Sequence, residues 1–212
     1  NGIATAMEGA FALPLWVSGV VLAALTAAVI LGGITRIGAV AEKLVPAMCV
    51  LYIVCVLWVL GVFFDRIPAA FELIITQAFA PTAAVGGFAG STMLMAMRMG
   101  VARGIFSNEA GLGTAGIAQA AGQSTSPVFS GLVGMMGTFI DTIIVCTMTG
   151  LAIVVSGVWN SGASGALLST QGFEAAMPGV GKYVLALSLA VFAFTTILGW
   201  AYYGEKCWDY LV

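Results

Sequence analysis

Residues 44–64 pass without a single charged side chain, and stretches nearly as apolar recur at residues 13–33, 127–157 and 184–203. Coiled as a helix, about 20 apolar residues match the hydrocarbon thickness of a bilayer. Backbone in lipid has no water to bond, so each such run must satisfy its own amides, and the helix does this within one segment. The runs are continuous rather than alternating, which excludes the pattern of a membrane β-barrel. Composition agrees: 61% of the residues are hydrophobic and 8% charged, where a soluble domain carries about 25% charged residues. The expected class is an all-α integral membrane protein.

Several function classes drop out. Net charge is −2 and the chain holds no basic tract, so nucleic acid is not an expected partner. The chain contains no histidine, which removes most zinc and haem sites and every histidine-dependent nucleophile. Neither an enzyme nor a bound cofactor is expected. Cys49, Cys55, Cys146 and Cys207 show no paired ligand spacing and read as small space-filling residues.

Five spans are expected, at about residues 13–33, 44–64, 82–103, 127–157 and 184–203, with an interfacial helix at 67–80. Pro14 and Pro46 stand where a first helical turn accepts proline, and Gly32-Gly33 marks a helix end. Arg36 and Lys43 fall in the loop between the first two spans. Residues 105–125 read as a short helix or hairpin at a membrane face, and residues 158–181 as a Gly/Ser-rich loop with a helical patch near 171–177. Arg36, Lys43, Arg98, Arg103 and Lys206 share one side, which the positive-inside rule makes cytoplasmic; Arg66 and Lys182 lie opposite. Asn1 in place of Met, and an end without a stop signal, lead us to expect an internal piece of a longer chain.

Four polar groups interrupt the apolar background. Gly86, Gly87 and Gly90, followed by Ser91 and Thr92, free the backbone to leave helical geometry and present carbonyls and amides to an ion or an amino acid. The same small residues suit close helix packing. Thr195 and Thr196 offer adjacent hydroxyls to a hard cation such as sodium, or bond back to a carbonyl one turn earlier. Trp200, four residues on, shares the face of Thr196 and can wall a small ligand or fill the core. Asp141 lies well inside its span, where an unpaired charge costs about 2.5–3.5 kcal/mol; it is expected neutral, near water, or paired with Arg98 or Arg103. Arg103, Ser107, Asn108 and Glu109 read as an inner-face gate closed by an Arg103–Glu109 salt bridge, or as the capped start of a helix with Ser107 or Asn108 as the cap.

With these residues in view, the chain resembles the alanine or glycine:cation symporter family, the sodium:alanine symporters. The resemblance lies in Gly32-Gly33-Ile34 with Arg36-Ile37, in Leu44-Val45-Pro46 and Gly86-Gly87, in GVARGIFSNEAGLG at residues 100–113, in Phe139-Ile140-Asp141-Thr142 and Cys146-Thr147, and in FAFTTILGW at residues 192–200 with Tyr203-Gly204-Glu205 after it. It covers nearly the whole chain in order. It implies a leucine-transporter-type bundle of two inverted five-helix repeats, of which this chain looks like core helices four to eight. On that resemblance the Gly86–Thr92 region faces substrate with Trp200, Thr195 and Thr196 complete a sodium site, and the first core helix is missing from this chain. The implied function is sodium-coupled symport of alanine or glycine across the cell (inner) membrane by alternating access, with the amino acid, sodium and the bilayer as partners. A channel or a proton-coupled amino acid permease is the alternative reading of the same residues.

Overall fold

The computed structural model describes residues 2–79, 89–109, 111–124, 126–163 and 165–212. Every regular element among the described residues is helical. In chain order these are α1 (Gly2–Phe11), α2 (Leu15–Ile30), α3 (Gly33–Val62), a 3-10 turn (Phe64–Arg66), α4 (Ile67–Phe79), α5 (Ala89–Asn108) and α6 (Thr114–Ala121). Then follow α7 (Pro127–Phe139), a π-helical turn (Ile140–Cys146), α8 (Thr147–Val155), a second 3-10 turn (Val158–Asn160), α9 (Ala166–Ala176) and α10 (Gly181–Leu211). Among the described residues three helices are long and apolar enough to cross a bilayer: Gly33–Val62, the continuous stretch Pro127–Val155, and Gly181–Leu211. The chain forms two compact units, one from Asn1–Phe63 with Ala152–Val212, the other from Phe64–Leu151.

In the first unit, Pro14 opens α2 by accepting the amides of Val17 and Ser18 at 3.0 and 3.3 Å. Gly33 turns the chain from α2 into α3 at φ +69°, a left-handed conformation that glycine alone takes cheaply. No loop separates residue 33 from residue 44. The chain is helical throughout, through Arg36, Lys43 and Pro46. Ala39, Ala41, Glu42 and Leu44 around Lys43 are sound helix formers, and proline is tolerated inside membrane helices where neighbours re-satisfy the freed carbonyl. Thirty residues at a rise of about 1.5 Å exceed a hydrocarbon layer of about 30 Å, so one charged end reaches beyond the lipid tails.

Tyr52 anchors the core of this unit from α3. Its ring meets Phe192 of α10 edge-on at 5.5 Å and stacks on Phe173 of α9 at 6.1 Å. Val56 and Val59 below it, and Leu185 and Leu198 of α10, are fully buried. The join between α9 and α10 is tight. Glu174 Oε1 accepts the Gly179 amide at 2.6 Å and Oε2 accepts the Lys182 amide at 3.0 Å, so one carboxylate satisfies donors at the start of α10. These amides, Gly179 first and Lys182 second, hold the Glu174 carboxyl below the usual carboxylate range. Gly181 lies directly on the backbone of Phe173 and Glu174, with no room for a β-carbon.

In the second unit, Pro127 stands in the first turn of α7 after Ser126 in extended conformation. The helix then widens into the π-turn, which contains Asp141. α5 ends at Asn108 and is followed by a glycine-rich turn in which Glu109, Gly111 and Gly113 all have positive φ.

Gly181→Ala forces backbone apart at the α9–α10 join and is expected to cost about 1–3 kcal/mol or more, read as a lower thermal unfolding midpoint of the full-length protein in detergent. Glu174 has a lowered folded-state pKa, so its contribution is complete above the unfolded pKa of about 4.3 and is lost as pH falls through the folded value. Glu174→Gln is expected to lower the midpoint at neutral pH and to flatten its decline on acidification; a mutant that tracks the wild type across pH contradicts the cap.

Candidate functional site

The two threonines singled out in the sequence stand in the middle of α10. Thr195 Oγ1 donates to the Phe192 carbonyl at 2.8 Å and lies 3.2 Å from that of Val191. Thr196 Oγ1 donates to the same Phe192 carbonyl at 2.9 Å. The two hydroxyls therefore converge on one oxygen and lie side by side on the helix surface. A hydroxyl has one hydrogen and two lone pairs; donation to Phe192 uses the hydrogens and leaves both oxygens free to accept. Thr195 is half-buried and also meets Met48 Sδ of α3 at 3.8 Å, while Thr196 is exposed. The Phe192 ring, pinned on Tyr52, holds this part of α10 against α3. Trp200 sits one turn beyond, 39% exposed, its ring edge-on to Tyr203 at 5.8 Å.

In the second unit a polar junction joins the end of α5 to the π-turn. Ser107 Oγ donates to Asp141 Oδ2 at 2.7 Å and lies 3.5 Å from Cys146 Sγ. Asn108 Nδ2 donates to Thr142 Oγ1 at 2.9 Å. Thr142 Oγ1 in turn lies 3.5 Å from Asp141 Oδ2. Ser107 and Asn108 are thus the last turn of α5, and not the cap of a following helix; the next helix, α6, starts at Thr114. Glu109 takes φ +57°, rare for a residue with a β-carbon. It is held there by Thr114, whose Oγ1 donates to Glu109 Oε2 at 2.7 Å, and by its own carbonyl, which accepts the Leu112 amide at 3.1 Å.

The structure thus brings Asn108 and Asp141 together through Ser107 and Thr142, and Thr195 beside Thr196. Among the described residues no ion pair links Arg103 to Glu109, or Arg98 or Arg103 to Asp141. Gly90, Ser91 and Thr92 lie in the first turn of α5, and Gly86 and Gly87 fall outside the described residues. Sequence reasoning missed the Phe192 carbonyl as the shared acceptor, although an offset of three and four residues from the threonines marks it. It also missed Thr114 as the partner of Glu109, and buried Ser18 of α2, whose hydroxyl has no partner among the described residues.

Membrane-length helices with hydroxyls, a carboxylate and a left-handed turn inside or beside them define a helical membrane protein. The sequence comparisons place it more narrowly. The family model described as "Sodium:alanine symporter family" matches residues 1–212, and the chain belongs to that family, which is one of transporters and not of enzymes. A transporter of Haemophilus influenzae is 46% identical over 214 residues, covering 100% of this chain and 47% of its own length. The sodium/alanine symporter AgcS of Methanococcus maripaludis is 44% identical over 216 residues, covering 100% of this chain and 47% of its own. A probable sodium/glutamine symporter of Bacillus subtilis, GlnT, is 34% identical, covering 97% of this chain and 42% of its own. The chain spans about half the length of the curated relatives it matches.

Glu109 yields a separable test. Glu109→Ala keeps the left-handed backbone and loses the Thr114 bond, and is expected to destabilise the full-length protein by about 1–2 kcal/mol. Glu109→Gly loses the same bond but relieves the strain, and its unfolding midpoint is expected to lie above that of the alanine variant.

Proposed function

We propose that the chain belongs to a secondary active transporter that couples sodium entry to the uptake of a small neutral amino acid, alanine or glycine, across the cell (inner) membrane by alternating access. The observation that carries this reading is the pair of hydroxyls in α10 that share the Phe192 carbonyl as acceptor and so keep their lone pairs for another group. Two neutral oxygens held side by side make part of the shell of a hard monovalent cation. They are pre-set by intrahelical bonds, so sodium binding need not first order them. Family membership, with AgcS a sodium/alanine symporter and GlnT a probable sodium/glutamine symporter, supports amino acid and cation symport.

In this reading Thr195 and Thr196 are sodium ligands. Trp200 walls the amino acid, together with the glycine region Gly86, Gly87 and Gly90 and the hydroxyls of Ser91 and Thr92. Arg98, Arg103, Asn108, Glu109 and Asp141 belong to the pathway toward the inner face. The fold is a leucine-transporter-type inverted-repeat bundle, to which this chain contributes spans at about residues 13–33, 44–64, 82–103, 127–157 and 184–203. Sodium favours the substrate-binding state, and substrate must favour sodium by the same factor. A small pocket discriminates by steric clash against larger side chains.

The test is uptake of radiolabelled alanine by the full-length protein in liposomes, with and without an inward sodium gradient. Replacing both threonines with valine keeps their shape and removes the oxygens. The half-saturating sodium concentration is expected to rise at least about tenfold, roughly 1.4 kcal/mol, while the double serine variant stays close to wild type. Uptake by the valine variant with unchanged sodium dependence overturns the reading.

A further inference from the structure

Met48 of α3 is 8% exposed, and its Sδ lies 3.8 Å from Thr195 Oγ1. It stands one turn before Tyr52 on the same face of α3, and Tyr52 meets Phe192 edge-on at 5.5 Å. A step of four residues forward along α3 thus matches a step of three back along α10, so the two helices run antiparallel at this contact. These two successive contacts set the register. The aromatic one grips the residue whose carbonyl the threonines share, and the sulfur one reaches a hydroxyl of the pair.

The acceptors around that hydroxyl are unequal. α10 is helical throughout, so the Phe192 carbonyl takes the Thr196 amide and is also addressed by the hydroxyls of Thr195 and Thr196. Three donors face a carbonyl with two lone pairs. Thr196 donates to Phe192, whereas Thr195 Oγ1 has further acceptors in the Val191 carbonyl at 3.2 Å and Met48 Sδ at 3.8 Å. Among the described residues Met48 Sδ is the acceptor of Thr195 that lies outside α10. A thioether is polarisable and accepts a hydrogen weakly. It is too soft to compete for a hard cation, so it can take the hydrogen without taking the ion.

We propose that Met48 is a positioning residue for the threonine pair and sets its affinity for sodium. Its sulfur draws the Thr195 hydrogen toward α3. That leaves the crowded Phe192 carbonyl to Thr196 and keeps both hydroxyl hydrogens away from the cation, with the oxygens turned to it. The proposal rests on the symport reading, in which Thr195 and Thr196 hold sodium. Met48 acts on the ion only through Thr195.

The test is a double-mutant cycle on sodium-dependent uptake of radiolabelled alanine by the full-length protein in liposomes: wild type, Met48→Leu, Thr195→Val, and both together. Leucine keeps nearly the volume of methionine and removes the acceptor. In Met48→Leu half-saturating sodium is expected to rise about threefold, the low end for one lost hydrogen bond. Alanine half-saturation at saturating sodium is expected to stay at the wild-type value. Beside Thr195→Val the same substitution is expected to change nothing further, whereas a merely structural role would add its effect there too. Met48→Gln restores an acceptor at similar reach and is expected to hold half-saturating sodium at or below the wild-type value. If Met48→Leu does not fold, Met48→Gln decides, and a raised value overturns the role. Thr195→Val with wild-type sodium dependence overturns the threonine reading itself. Thr195→Val that needs more sodium, with Met48→Leu unshifted or with a shift that persists beside Thr195→Val, overturns the role of Met48 alone.

Discussion

Polar groups surrounded by lipid must find their partners within the protein, and most of this structure follows from that requirement. Backbone amides are satisfied by coiling, which gives three membrane-length helices among the described residues. Where a helix begins near another, as at the start of α10, the free amides are taken by Glu174 from α9. Several threonine hydroxyls within the helices return their hydrogens to a carbonyl one turn back, as at Thr149, Thr195 and Thr196. Each hydroxyl so bonded is neither a frustrated donor nor a spent acceptor. This is why the ordinary structural role of Thr195 and Thr196 and the proposed sodium role are compatible: the hydrogen serves the helix and the lone pairs serve the ion.

Rigidity and strain are divided between the two units. In the first, Tyr52 links α3 to both α9 and α10 through aromatic contacts, over a core of fully buried Val56, Val59, Leu185 and Leu198. Such packing fixes the threonine pair on a well-supported helix, which is what a coordination site needs. In the second, the irregular features gather around one stretch: the π-turn, the Ser107–Asp141 bond, and Glu109 in a left-handed conformation. Backbone that departs from the regular ladder stores free energy that a change of state can release.

Much of the chain was legible before its structure. The apolar runs give the class, Pro14 gives the start of α2, and the glycine pair at 32 and 33 gives the turn that follows it. The back-bonding of Thr195 and Thr196 was open from helical arithmetic, because a threonine always has a carbonyl three and four residues behind it. The continuity of α3 through Pro46 was less accessible. Proline signals a first turn and an interior kink with the same residue, and the choice between them depends on whether surrounding helices repair the lost bond. The end of α5 misled in a similar way, since Ser, Asn and Glu in sequence suit a helix start, yet here they close one.

Amino-acid order alone settled the membrane class, the helical character and the residues able to bond within their own turn, because these depend on hydropathy and on offsets of three or four along one chain. Packing settled which group answers Asp141. Its partner Ser107 is 34 residues away, and the π-turn shifts the phase of every side chain after it, so helical periodicity carried no information about that meeting. Pairing with Arg98 or Arg103 was one of the expected answers; a serine hydroxyl stands there instead, because geometry, and not charge, decides which donor comes within 3 Å of a carboxylate.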